Sequence, residues 1–215
     1  VRVFTGAPLP PGTGGVVMQE QARRDGDYLT LDPDRSPDLF IRPRGGDFRA
    51  GKVLVKAGQR LDSWTLALAA SGGHGRVAVR RRPRVAILIT GDEIVTGGGP
   101  AGDHQIHDAV GPALSALIRR WGGQPVRLPS AGDSEAAILA SLGTEPFDLL
   151  VTVGGASVGD HDRVKPALKT RGLSLSVEGV AIKPGKPTWF GTLACQDGAA
   201  VPVLGLPGNP ASALV

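Results

Sequence analysis

Five carboxylates and two lysines stand beside turn residues at the ends of apolar runs: Asp92, Glu93, Asp133, Asp160, Asp162, Lys183 and Lys186. The densest such stretch is LLVTVGGASVGDHDRVKPALK, from Leu149 to Lys169. It opens as an apolar, β-branched run, breaks at Gly154 and Gly155, and bends through Ser157, Gly159, Asp160 and Asp162. It turns helical from Arg163 to Lys169. Adjacent glycines let a backbone come close to a ligand, and a following helix end offers free N–H groups to an anion. The bend is nonetheless acidic and would repel a bare phosphate. Either a divalent cation sits between Asp160 and Asp162, or one caps the helix and the other is a solvated loop residue.

The elements that must position these residues follow from periodicity. A strand like 149–153, apolar on both faces, predicts the centre of an α/β sheet, whose ligands lie beyond the carboxyl ends of the strands. From Arg84 the pattern is βαβ. Strand 85–90 ends in Thr90, Gly91, Asp92 and Glu93, and a GGGPAG loop follows. Asp108 is placed to cap a helix over 109–121, whose Val110, Leu114, Leu117, Ile118 and Trp121 make one apolar face. Strand 126–128 leads to Asp133, a candidate cap for a helix over 134–142. Strands over 173–182 and 188–193 flank a Lys-Pro-Gly-Lys-Pro turn holding Lys183 and Lys186, and strand 201–206 runs into Pro207, Gly208 and Asn209. Asn209 and Pro210 together signal a helix start. The prediction is an α/β domain over 84–215 with a mostly parallel sheet in three layers. Carboxylates beside lysines on one sheet edge suit a phosphorylated substrate with a hard divalent cation. Helix caps and surface charges are the bland alternative.

Ahead of that domain, 1–42 reads as part of a small β-rich domain, with strands at 1–5, 16–20, 28–31 and 39–41. Residues 43–83 read as part of a linker domain, with strands at 53–55 and 77–79 and a helix over 64–70 capped by Asp62 or Ser63. The first residue is not Met and the last five run into an apolar stretch, so both ends read as cuts inside a longer chain.

Bulk properties exclude several classes. A net charge of +4 is too small to argue for nucleic acid, and the cluster Arg80, Arg81, Arg82 and Arg84 lacks interleaved aromatics. No apolar run approaches the roughly 20 residues of a membrane span. The single cysteine, Cys195, permits no internal disulfide and suits a reducing cytoplasm. His104 and His107 have ligand-like spacing but no third partner. Neither G-x-x-x-x-G-K-S/T nor a strand-to-helix G-x-G-x-x-G occurs, which speaks against P-loop and dinucleotide-binding domains.

Several ordered blocks resemble one family. TGDEI at 90–94, VGGASVGDHD at 153–162, VAIKPGKP at 180–187 and GLPGNPASALV at 205–215 are similar to the molybdopterin molybdenumtransferases. VFTGAPLPPGTGGVVMQE at 3–20 and GGDFRAGKVLVKAGQRL at 45–61 resemble that family's β and linker domains. The resemblance implies insertion of molybdate into adenylylated molybdopterin, releasing AMP and forming molybdenum cofactor, by a cytoplasmic homodimer using magnesium. It also implies partners that pass the cofactor on. It assigns Glu93, Asp133 and Asp160 to the catalytic pocket, and the metal to Asp160 and Asp162. Thr90, Gly91, Asp92, Gly154, Gly155, Ser157, Gly159, Lys183, Lys186, Pro207, Gly208 and Asn209 fall to the substrate. The α/β part also resembles single-domain molybdopterin adenylyltransferases, against which the upstream blocks decide, and a non-catalytic pterin-binding relative is a third reading.

Three departures bear on this. Where the family reads Asp-Ser-Asn, this chain has Asp108, Ala109 and Val110, and so loses two hydrogen-bonding side chains at a helix start. Gly179 stands where the family carries Lys or Arg. The family's N-terminal segment and C-terminal β domain have no counterpart in these residues. The family's cleft draws on both, so the resemblance does not imply that this stretch is active alone.

Overall fold

The computed structural model of the chain describes residues 1–34, 40–155, 162–194 and 200–215. Two compact units divide it, Val1–Ala78 and Val79–Val215.

The first unit is turn-rich. Strand β1 (Ala22–Asp25) pairs antiparallel with β2 (Tyr28–Leu31), Asp25 opposite Tyr28 across the Gly26-Asp27 turn. Among the described residues of this unit, 28–31 is the one expected strand that forms. Its partner was missed because Arg23, Arg24 and Asp25 carry no apolar signal. Residues 1–5, 16–18, 53–55 and 77–79 adopt no strand, and neither do Phe40 and Ile41; residue 39 lies outside the described residues. A β-propensity run needs a partner strand to satisfy its backbone, and these short runs find none among the described residues. Helix α1 (Ser63–Ser71) is capped by Asp62, which accepts from the Thr65 amide at 2.8 Å and its hydroxyl at 2.6 Å. Those bonds, the hydroxyl's first, hold the Asp62 carboxyl below the usual range. Among the described residues of this unit only Ala69 is buried, while Phe4, Tyr28, Leu29, Val53 and Trp64 are exposed.

In the second unit the chain runs β3 (Arg84–Ile89), β4 (Ile94–Val95), β5 (Ile106–His107), α2 (Val110–Arg120), β6 (Gln124–Arg127), α3 (Glu135–Ser141), β7 (Leu149–Val153) and α4 (Val164–Thr170). It continues through β8 (Leu173–Val177), β9 (Trp189–Ala194), β10 (Ala200–Leu206) and α5 (Pro210–Leu214). The main sheet has the order β6-β3-β7-β10-β9-β8. Strands β6, β3, β7 and β10 are mutually parallel, and β9 runs antiparallel to both β10 and β8. Three pairings of five are therefore parallel.

Alternation along the strands sends side chains to two cores, which makes the three layers. Ala86, Leu88, Leu150, Val203 and Trp189 pack against Ile138 of α3 and Val164, Ala167 and Leu168 of α4. On the other face Val85, Ile87, Ile89, Val151, Val153 and Leu206 meet Val110, Leu114 and Ile118 of α2 and Ala213 of α5. These apolar faces drive the fold, at about 1.5–3 kcal/mol for each fully buried aliphatic or aromatic side chain. Fully buried Trp189 lies over Gly205, its strand neighbour. A Cβ there would fall 1.9 Å from the ring atom Cε2, so the indole fills the space a side chain would take.

At the amino ends of the strands, Arg81 grips Asp148 with both terminal nitrogens, at 2.5 and 2.6 Å. The Arg84 amide adds a bond of 2.7 Å to the same carboxylate. The guanidinium first, then that amide, lower the Asp148 carboxyl to about 2.

Candidate functional site

Chain order and helix placement make a crevice. From β3 the chain crosses by α2, on one face, to β6. It returns by α3, on the other face, to β7, on the opposite side of β3. The loops after β3 and β7 thus depart towards opposite faces. That is a topological switch point, where open α/β sheets bind ligands.

The loops that follow β3, β6, β7 and β10 meet there. Thr90 is buried, donates its amide to the Val153 carbonyl at 2.9 Å, and forms an isolated parallel bridge with Ala131. The Gly91 amide bonds the Ala131 carbonyl at 3.1 Å. Asp92 Oδ1 accepts from the Asp133 amide at 3.2 Å and lies against Gly132, joining the first loop to the second. The Glu93 carboxylate folds back over Gly91. Gly154, at φ +93°, donates to the Leu206 carbonyl at 3.2 Å. A Cβ on it would stand 2.6 Å from the Thr90 carbonyl oxygen, so the two loops touch only because residue 154 is glycine. Gly208 lies against the Gly154 Cα, and Pro207 is buried behind it. Asn209 caps α5, its Oδ1 accepting from the Ala211 amide at 2.9 Å, with Pro210 in the first turn.

The lysine turn reaches this edge through strand direction. Because β9 reverses twice against its neighbours, β8 runs parallel to β10, and the connection 178–188 emerges at the carboxyl edge. Gly185 there packs towards the Ser212 carbonyl of α5, and Lys183 and Lys186 are exposed on either side. Gly179 backs onto the Lys186 carbonyl.

Asp92, Glu93, Asp133, Lys183, Lys186, Gly208 and Asn209 are thus exposed on one edge, with Thr90, Gly91, Gly154 and Gly155 forming its floor. Ser157, Gly159 and Asp160 lie outside the described residues. Asp162 serves α4: Oδ1 accepts from the Val164 and Lys165 amides at 3.2 and 3.3 Å, and Oδ2 pairs with the Lys165 ammonium at 2.8 Å. Lys165 went unread in the sequence, though its i,i+3 spacing from Asp162 is a recognisable signal. Asp133 is not the cap of α3. Ser134 holds that position, accepting from the Ala137 amide at 3.2 Å, which leaves the Asp133 carboxylate outside the helix. Asp108 does support α2, its Oδ1 accepting from the Gly111 amide at 2.8 Å. Its second oxygen pairs with Arg127, a residue whose part had no local sequence signal because the partner is 19 positions away. Among the described residues no group of three or more His, Cys, Asp or Glu could hold a metal ion. None of the helices described is long and apolar enough to cross a membrane.

Residues 86–215 match the family model of a probable molybdopterin binding domain, and residues 1–73 match that of the MoeA N-terminal region, domains I and II. The chain belongs to the molybdopterin molybdenumtransferase family. The molybdopterin molybdenumtransferase of a Nostoc species is 37% identical over 217 residues, covering 100% of this chain and 49% of its own length. That of Haemophilus influenzae is 37% identical over 220 residues, covering 100% and 52%. A crystal structure of the MoeA protein from Pyrococcus horikoshii superposes with a TM-score of 0.66 at 33% identity, covering 93% of this chain and 49% of that one. The chain spans about half the length of the curated relatives it matches.

Proposed function

We propose that the protein carrying this chain inserts molybdate into adenylylated molybdopterin, releasing AMP and forming molybdenum cofactor. The observation that supports this most is the crevice at the β3/β7 switch point. Asp92 and Asp133 are joined there, on the sheet edge that also carries Glu93, the lysine turn and the Pro207-Gly208-Asn209 loop. Its chemistry suits the substrates. Lys183 and Lys186 offset the charge of the phosphates and of molybdate, and the close-packed glycine loops at 91, 154, 155 and 208 form the floor beneath the pterin dinucleotide. Glu93, Asp133 and Asp160 are the acid–base and orienting groups of this reading. Thr90, Asp92, Ser157, Gly159, Pro207 and Asn209 complete the substrate surface.

Magnesium fits the donor set, which is oxygen rather than histidine or thiolate. The ion keeps several waters and takes one or two carboxylates, so it needs no cage of three. Asp160 would hold it, with Asp162 joining only by releasing Lys165. Bound there it would neutralise phosphate charge. A homodimer is part of the same reading, supported by the exposed Phe4, Tyr28 and Leu29 of a unit that buries so little on its own. Delivery to further proteins of cofactor synthesis, a cytoplasmic setting, and a division of the residues ahead of Arg84 into β-rich (1–42) and linker (43–83) parts belong with it.

Asp160→Asn tests the reading in the full-length protein. Asparagine keeps the size of aspartate and one oxygen acceptor but lacks the charge. The expected result is an intact fold and a fall in AMP release of roughly 10²-fold or more, about 2.7 kcal/mol of transition-state stabilisation. Near-wild-type turnover at saturating magnesium would return Asp160 to a solvated loop residue.

A further inference from the structure

We propose that Arg127 is a positioning residue for Glu93, acting through Asp108 and the small ribbon that carries Glu93. Among the described residues, strands β4 and β5 pair only with each other, outside the main sheet. Two residues per strand are too few to be stable unaided, so the ribbon depends on its tethers. The Ile106 amide holds the Glu93 carbonyl at 2.8 Å, and the Asp108 amide holds the Val95 carbonyl at 3.0 Å. Glu93 is therefore held between two supports, 106–108 on one side and Gly91 on the other, whose carbonyl accepts from the Ile94 amide at 3.2 Å. The anchor of 106–108 is the Asp108 side chain, only 5% exposed, whose oxygens are divided between the Gly111 amide and the Arg127 guanidinium of edge strand β6.

Gly111 makes the contact possible. A Cβ there would lie 2.3–2.5 Å from the guanidinium carbon and both terminal nitrogens, so Arg127 occupies the space over the first turn of α2. This is the helix start whose Ala109 and Val110 offer no side-chain hydrogen bonds, and the arginine supplies a donor from a neighbouring strand. Without it a nearly buried carboxylate keeps one amide partner, and the ribbon's anchor loosens.

The kinetic part rests on the molybdate-insertion reading; a second measurement does not. In Arg127→Met, amide hydrogen exchange at Ile106 and Asp108 should quicken by about tenfold or more beyond any change at Leu150 and Val151 in the central strand. With the same variant of the full-length protein, kcat for AMP release should fall about tenfold per folded molecule with KM nearly unchanged, and Arg127→Lys should recover much of it. Exchange at Ile106 and Asp108 that moves only with Leu150, or an unchanged kcat in a wild-type-competent assay, overturns the inference. A wild type that releases no AMP overturns the reaction instead, and the exchange rates then decide on their own whether Arg127 holds the ribbon.

Discussion

Replacing Gly154 with alanine tests the geometry on which the crevice depends. Two costs act at this position. Its φ of +93° lies where a Cβ is disfavoured by roughly 1–2 kcal/mol. The new Cβ would also stand 2.6 Å from the Thr90 carbonyl oxygen and 2.8 Å from its Oγ1. Neither atom is the end of a flexible chain. Thr90 is tied to Val153 and Ala131, so relief requires parting the loops, and overpacking of this kind costs about 1–3 kcal/mol. The sum, about 2–5 kcal/mol, lowers the melting temperature by roughly 5–15 °C in a domain of this size. Gly122 provides the control. Its φ is +91°, but nothing lies within 4 Å of the added methyl, so Gly122→Ala should incur the backbone cost alone, about 1–2 kcal/mol. Chemical denaturation of both variants, with AMP release from each, makes the comparison. Equal losses of stability would refute the close approach of the β3 and β7 loops. A Gly154→Ala protein with wild-type turnover would show that their separation does not matter to the reaction.

Other outcomes follow from the same structure. Asp148, lowered to about 2 by Arg81 and the Arg84 amide, contributes stability that is complete above its ordinary value near 4 and is lost as pH falls from there through about 2. Asp148→Asn should flatten that part of an acid-denaturation profile. Ser134→Ala should cost about 1 kcal/mol in denaturant unfolding by removing the cap of α3. Asp133→Ala should cost little stability yet depress turnover, and the reverse pattern would make Asp133 the structural residue. Changing Lys183 or Lys186 to alanine should weaken binding of the phosphate-bearing pterin, measured by calorimetry, while the melting temperature moves by a few degrees at most.

Much of the second unit could be read from the chain. Apolar runs bounded by glycine locate β3, β7 and β10 to within a residue, and Asn209-Pro210 announces α5, because these signals are local and burial enforces them. The reading failed where partners are distant. Nothing near Ala22–Asp25 marks a strand, since its pairing with Tyr28–Leu31 is made by the backbone. Asp133 and Ser134 are equally good caps by type, and only the helix geometry chooses the serine. The convergence of Asp92 with Asp133 was legible because parallel strands must end on one edge. The place of Lys183 and Lys186 depended on β9 running backwards, which periodicity does not reveal.

The position of Trp189 gives this edge a built-in optical reporter. Trp64 and Trp121 are 81% and 70% exposed, whereas Trp189 is wholly enclosed at the first position of β9, beside the crevice edge. A water-borne quencher such as iodide silences the first two indoles and leaves the third emitting from an apolar, blue-shifted environment. Its ring lies over Gly205, and Gly205 is paired with Thr152, one residue before the end of β7. Any ligand that shifts the ends of β7 or β10 changes the surroundings of this one fluorophore. Occupancy of the crevice therefore has a label-free spectroscopic signal that the quenched spectrum isolates.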